Sequence, residues 1–175
     1  MRARFVRLVL LAVAASLAAC ASGERISAAG DVRGLLVAIR DDDRAAFDAH
    51  IDRSALQAEM QWIIVERAKT SGLGSEGAAL GALASGPLSR AAATVVLRPD
   101  VFRAIADYYG YSPDRPLPGT FTLAAALTPV EGGKVCARDP KTKTCLLTFA
   151  NEGGVWKLVS FDARRAGLSS SGYGR

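Results

Sequence analysis

The sequence is poor in the residues from which most metal and nucleophilic sites are built. It contains one histidine, His50, and three cysteines, Cys20, Cys136 and Cys145. Because a zinc site in a protein takes three or four ligands, His50 alone cannot form one. A catalytic Cys-His or Ser-His pair would also need a nucleophilic cysteine or serine, and no sequence motif identifies one. We therefore assign no catalytic residue, no metal ligand and no cofactor, and we expect the protein not to be an enzyme.

Three short motifs resemble functional signatures but each lacks a necessary part. Residues 72–77 match the pattern G-x-G-x-x-G of dinucleotide-binding proteins. That motif must follow a parallel strand, whereas the residues that precede it here have a helical pattern. The same segment lacks the first glycine of a G-x-S-x-G nucleophile elbow. The acidic run 41–43 lacks the glycine and glutamate of an EF-hand, so we interpret it as a turn in which Asp43 caps the next helix. The remaining polar candidates are Ser75, His50, Glu66 and Asp107.

No run of apolar residues in the sequence is long enough to span a membrane. The apolar stretch Leu8 to Ala19 has 12 residues, whereas a spanning helix needs about 20. Three arginines precede it and small residues follow, which is typical of an export signal. Its end, Leu17-Ala18-Ala19-Cys20, resembles a bacterial lipobox. Residues 1–19 are thus predicted to be a lipoprotein signal peptide, although cleavage after Ala21 also satisfies the small-x-small rule.

The lipobox determines the predicted location of everything that follows it. Acylation of Cys20 would anchor the protein to a membrane facing the periplasm, and Ala21 in place of aspartate favours the outer membrane. Removing residues 1–19 lowers the formal net charge from +5 to about +2, so the charge gives no reason to expect nucleic-acid binding. We expect a membrane partner through Cys20 and an envelope protein partner. The two remaining cysteines form an even pair for an oxidising compartment.

The period of the apolar residues divides the rest of the chain into helices and then strands. Residues 20–28 are predicted to be a tether, residues 29–162 a single domain, and the basic, Gly/Ser-rich residues 163–175 a disordered tail. Helical spacing predicts about five helices between residues 29 and 110. They fall at Val32 to Ile39, Arg44 to His50, Ser54 to Lys69, Leu88 to Val96 and Pro99 to Tyr109, with a weaker helix at Ala78 to Ala84.

After Gly119 the period changes to two, which predicts a four-stranded antiparallel meander. The predicted strands are Thr120 to Thr128, Gly133 to Arg138, Lys143 to Ala150 and Val155 to Asp162. The fold class is therefore α+β, with the N-terminal helices packed on one face of the C-terminal meander.

The two turns of the meander predict its register. If Arg138 faces Lys143, then Cys136 faces Cys145 at a distance that a disulfide can bridge. The next turn places Phe149 opposite Trp156 and Leu147 opposite Leu158. We expect this apolar set to face the helices.

Several sequence segments resemble a family of small bacterial envelope proteins, domain-of-unknown-function family 2939. They are Leu35-Leu36-x-x-Ile39-x-x-x-Asp43 leading to Phe47 and Ile51-Asp52-x-x-Ala55-Leu56, then Leu97-Arg98-Pro99-Asp100-Val101-Phe102, then Val155-Trp156-Lys157-Leu158-Val159. The resemblance covers most of residues 30–161 and implies no catalytic residues. The chain also resembles nuclear transport factor 2-like and cystatin-like α+β domains, although those usually interleave strands with helices.

The sequence leaves three hypotheses about function. The first is a lipid-anchored periplasmic module that binds something or supports an envelope assembly. The second is a carrier of a small apolar ligand or lipid, and the third is an envelope hydrolase with an unrecognised site. Four aromatic residues could line a pocket for the carrier, namely Trp62, Tyr108, Tyr109 and Trp156.

Overall fold

The computed structural model describes residues 23–70, 96–108, 115–139 and 141–162. In these ranges five helices precede a four-stranded antiparallel sheet, which confirms the α+β class. The helices are α1 at residues 23–41, α2 at Arg44–Ala49, α3 at Arg53–Thr70, α4 at Pro99–Tyr108 and α5 at Thr120–Ala126. The strands are β1 at Leu127–Val130, β2 at Lys134–Arg138, β3 at Cys145–Glu152 and β4 at Val155–Phe161. The predicted signal peptide, Cys20, the helices predicted at 78–84 and 88–95 and the tail 163–175 lie outside the described residues.

Helix α1 packs against the sheet through the face that its apolar spacing predicts. Val32 and Leu35 of this face are buried and Ile39 packs against the core, and Ala38, which was not part of the predicted face, is buried as well. The helix starts earlier than expected, because residues 23–28 of the predicted tether are helical and Ala28 and Ala29 are fully buried. Alanine is the strongest helix former and fits a close contact, but its small side chain adds little to an apolar pattern.

The acidic turn after α1 forms as predicted. Asp42 has a φ of 57°, which turns the chain sharply, and the Asp43 side chain accepts a hydrogen bond of 3.0 Å from the Ala46 amide. Helix α3 is capped two residues earlier than expected, by Asp52 rather than Ser54. The Asp52 carboxylate accepts bonds from the amides of Ser54 and Ala55 and from the Ser54 hydroxyl. The hydroxyl bond is the main reason that the pKa of Asp52 is lowered, against the opposing effect of burial.

The segment predicted as the first strand is mostly helix. Thr120–Ala126 forms α5, and β1 occupies only Leu127–Val130. The alternating threonines favoured a strand, but the three alanines at 124–126 have high helix propensity and Ala124 is buried. The last helix therefore leads directly into the sheet, whereas the sequence predicted that the helices end near Tyr109.

The hairpin between β3 and β4 is tighter than predicted. Gly153 and Gly154 both have positive φ, 61° and 92°, which builds a two-residue turn and places Asn151 and Glu152 in the strand. Phe149 consequently pairs with Leu158, and Trp156 pairs with Asn151. The pairing register therefore differs from the predicted one by two residues. Because side chains alternate with a period of two, Phe149, Trp156 and Leu158 still face the core, as predicted.

The prediction for Leu147 is wrong. Its side chain is 36% exposed, and it pairs with Phe161 rather than Leu158. Val159 is an extra residue of β4 in this pairing, because Phe149 faces Leu158 while the adjacent Thr148 faces Ser160. This bulge bends β4, so Leu147 lies beyond the covered part of the sheet.

The predicted Cys136–Cys145 disulfide is present, but β2 and β3 pair in a different register from the predicted one. Cys136 pairs with Thr148 and Cys145 pairs with Arg138, so the bond is diagonal across β2 and β3. A register shift between Ala137 and Arg138 brings the two Cα atoms to 5.6 Å. The carboxylate of Asp139 orders the connecting turn through the amides of Lys141 and Thr142.

The outer edge of β4 is bonded by two segments of the helical region, helix α1 and the link between α2 and α3. The Trp156 amide donates a 2.9 Å hydrogen bond to the carboxylate of Asp31 in α1. The Leu158 amide donates to the carbonyl of His50, and the Asp52 amide donates to the Leu158 carbonyl, both at 2.9 Å. Ile51 thereby forms a short parallel bridge to β4. The edge is thus bonded within the chain at Trp156 and Leu158, which leaves less of it for pairing with another strand.

The buried side chains of helices and strands form one core cluster. Its largest fully buried members are Phe47, Phe149, Leu56, Leu97 and Leu158. Phe102 of α4 packs edge-on against Phe47 with ring centroids 5.2 Å apart.

Replacing Trp156, which is 3% exposed, tests this core. We expect Trp156→Ala to lower the free energy of unfolding by about 3–5 kcal/mol because it leaves a large cavity. The matched control is Trp62→Ala, whose side chain is 59% exposed and whose loss should change stability by about 0.5 kcal/mol or less. Chemical denaturation followed by circular dichroism measures both. Equal stability of the two variants would contradict the position of Trp156.

Candidate functional site

A groove lies between α3 and the face of the sheet opposite to the core. Its volume is about 550 Å³, within the range of small-ligand pockets. Four lining residues belong to α3 and four to three different strands. They are Ala55, Ala58, Glu59, Trp62, Lys134, Thr148, Val159 and Ser160.

Helix α3 has two faces because of the spacing of its residues. Leu56 and Met60 face the core cluster. Residues 55, 58, 59 and 62 follow the i, i+3, i+4, i+7 pattern of a second face, which lines the groove. Trp62 ends this second face, and its indole is 59% exposed.

The strands supply polar side chains because successive residues point to opposite faces. Lys134 and Thr148 alternate with the buried residues Val135 and Phe149. The pairing of β3 with β4 sets Ser160 directly opposite Thr148, so two hydroxyl groups lie side by side. The bulge residue Val159 also reaches the groove.

The polar side chains of the groove are unpaired among the residues that the structure describes. In the part of the chain that the structure describes, Glu59, Lys134, Thr148 and Ser160 take part in no side-chain hydrogen bond or ion pair. Lys157, which is also on the sheet, is by contrast paired with Glu152 at 3.1 Å. Glu59 and Lys134 thus leave an acceptor and a donor free for a ligand.

Of the four aromatic residues predicted to line a pocket, the two tryptophans lie in different places. Trp62 lines the groove, whereas Trp156 belongs to the core cluster. Tyr108 is the last residue of α4, and the surroundings of its side chain are not among the described features. Tyr109 lies outside the described residues.

The polar candidates from the sequence are found in separate places. The His50 ring lies against α1 at Gly34, and its buried Nδ1 atom has no hydrogen-bond partner among the described residues. Asp107 is exposed on α4, Glu66 lies on α3, and Ser75 is outside the described ranges. Within those ranges no three His, Cys, Asp or Glu side chains are grouped so that they could hold a metal ion.

Two observations bear on location. The Cys136–Cys145 disulfide is consistent with an oxidising, extracytoplasmic compartment. Among the described helices, none is both long and apolar enough to cross a membrane.

No family model, curated protein or solved structure matches the chain. The resemblance to domain-of-unknown-function family 2939 therefore stays a prediction from its motifs.

The sequence pattern identified Trp62 but missed the other groove residues. Lys134, Thr148 and Ser160 are far apart in sequence from Glu59 and meet it only through the tertiary fold. The available signal was the helical spacing of positions 55, 58, 59 and 62, which forms a second face beside the apolar stripe of α3.

The contact between His50 and Gly34 provides a test of the structural role of the only histidine. A Cβ atom at position 34 would lie 2.6 Å from His50 Nε2, so Gly34→Ala should destabilise the protein by about 1–3 kcal/mol. In a His50→Ala background the same change should stabilise it by about 0.5–1 kcal/mol, because alanine is the better helix former. Thermal or chemical denaturation of the wild type, the two single variants and the double variant measures whether Gly34→Ala raises or lowers the stability in each background. An equal gain in both backgrounds would show that the ring moves aside without cost.

Proposed function

We propose that the protein is an exported lipoprotein, acylated at Cys20, whose α+β domain is a non-enzymatic binding module of the cell envelope. The observation that carries this proposal is the groove beside α3, in which an exposed indole adjoins polar side chains that have no partner among the described residues. A ligand-binding site is typically a cleft with a few polar groups that can bond the ligand, and unpaired polar side chains in an accessible cleft fit this description.

The disulfide supports the exported location, because thiols are kept reduced in the cytosol. The lipobox supports a lipid anchor, and Ala21 after the acylated position supports the outer membrane. Two or three acyl chains hold a protein stably at a membrane where one chain is marginal. The groove would then face envelope components within reach of a tethered domain.

The groove favours binding over the two alternatives from the sequence. A carrier of lipid needs an enclosed apolar cavity, whereas this groove is open and partly polar. A hydrolase needs a nucleophile, a base and an orienting group within reach of one another. The hydroxyls of Thr148 and Ser160 lie in the groove. The ring of His50 lies against Gly34 of α1 and does not line the groove, so it is not placed as a base for them.

One experiment in intact envelopes tests binding and anchoring together. A benzophenone side chain placed at Ala58, an exposed residue of the groove, should crosslink to an envelope component. The matched control is the same side chain at Ala125, an exposed alanine of α5 outside the groove. We expect a specific product at position 58 at least several-fold stronger than at position 125. Equal labelling at both positions would contradict the groove as the binding surface.

The anchoring arm compares Cys20→Ala with Ser22→Ala in the same cells. Cys20→Ala should move the protein out of the membrane fraction and remove the specific crosslink, while Ser22→Ala should change neither. Mass spectrometry of the purified mature protein should find acyl chains on Cys20. A free amine at Ser22 would instead support ordinary cleavage after Ala21.

A further inference from the structure

The chemistry of the groove identifies a class of ligand, and this step rests on the binding function proposed above. The groove combines an exposed aromatic face with donors and acceptors in one open cleft. Trp62 provides the aromatic face, and Glu59, Lys134, Thr148 and Ser160 provide the polar atoms. We propose that the groove binds a saccharide of two or three pyranose rings.

The indole of Trp62 is suited to one side of a sugar ring. A pyranose carries its C–H bonds on two faces and its hydroxyl groups around the rim, so a flat aromatic side chain can stack on a face without blocking the hydroxyls. Trp62 is 59% exposed, although burial of such a ring is favourable. A ligand with an apolar face would remove that surface from water.

The polar side chains are suited to the hydroxyl groups of the same ligand. The carboxylate of Glu59 only accepts hydrogen bonds, the ammonium of Lys134 only donates, and the hydroxyls of Thr148 and Ser160 do both. A ligand that satisfies all four must offer donors and acceptors at several neighbouring positions. Sugar hydroxyls each serve as both donor and acceptor, so one compact ligand meets this requirement.

Other ligand classes fit the groove less well. An extended peptide gains affinity by adding a strand at a sheet edge, but the edge of β4 is occupied by Asp31, His50 and Asp52. A nucleic acid needs a cluster of cations, whereas one lysine here is balanced by one glutamate. A lipid chain needs a more enclosed and apolar cavity than this open groove.

The positions of the two tryptophans make the test direct. The chain has two tryptophans, of which Trp156 is buried in the core and Trp62 is exposed in the groove. Acrylamide quenching of the mature full chain therefore reports on Trp62. Trimers of N-acetylglucosamine, glucose and an acidic sugar should be titrated separately, which distinguishes a cell-wall glycan from neutral and acidic surface polysaccharides.

We expect at least one trimer to protect Trp62 from quenching and to bind with measurable heat in calorimetry. Trp62→Ala should weaken its binding at least tenfold, and Glu59→Gln and Lys134→Ala should each weaken it severalfold. Phe121→Ala is the matched control, because Phe121 is 81% exposed on α5 outside the groove, and it should leave the affinity unchanged.

Failure of every trimer to protect Trp62 would overturn the saccharide proposal. The same holds if a trimer binds equally well to the wild type and to Trp62→Ala. Phospholipid vesicles or an unrelated peptide that protected Trp62 in place of the sugars would also overturn it. A specific crosslink at Ala58 together with any of these results would retain the binding module and reject only the ligand class.

Discussion

The closure of the β4 edge is the interaction on which the rest of the fold depends. Two segments of the helical region reach this one strand, through the Asp31 carboxylate, the His50 carbonyl and the Asp52 amide. Asp52 has two roles, because its amide bonds the sheet while its carboxylate caps α3. The direction in which α3 leaves the sheet is therefore fixed at the point where the groove begins, three residues before Ala55.

The opposite face of the sheet supplies the other wall of the groove. Cys136 lies directly opposite Thr148, so the disulfide between β2 and β3 fixes the strands that carry the groove residues. On the other side of Thr148, the bulge at Val159 re-aims the end of β4 toward the same cleft. Braced strands and a capped helix hold the groove residues in place, which would reduce the entropy lost if a ligand bound there.

Local patterns predicted the elements whose stability is local, and they failed where tertiary contacts decide. The helical face of α1, the Asp43 cap and the inward set Phe149, Trp156 and Leu158 follow from periodicity and turn chemistry. The register did not, because the β3–β4 turn is two residues tighter than predicted and the β2–β3 and β3–β4 pairings each contain an irregularity that no period reveals. The helix at Thr120–Ala126 was missed because alternating polar residues outweighed its alanines. The groove depends on residues from four elements, and only Trp62 among them was predicted from sequence.

We propose that ligands bind this protein in the groove between α3 and the outer face of the sheet. The most direct measurement is a nitrogen-15 NMR titration of the mature chain with soluble fragments of the bacterial envelope. We expect the indole N–H signal of Trp62 and the amide signals of Ala58, Thr148 and Ser160 to shift together, while the indole signal of Trp156 stays in place. Shifts centred on Phe121 and Leu147, with the groove signals unchanged, would contradict it.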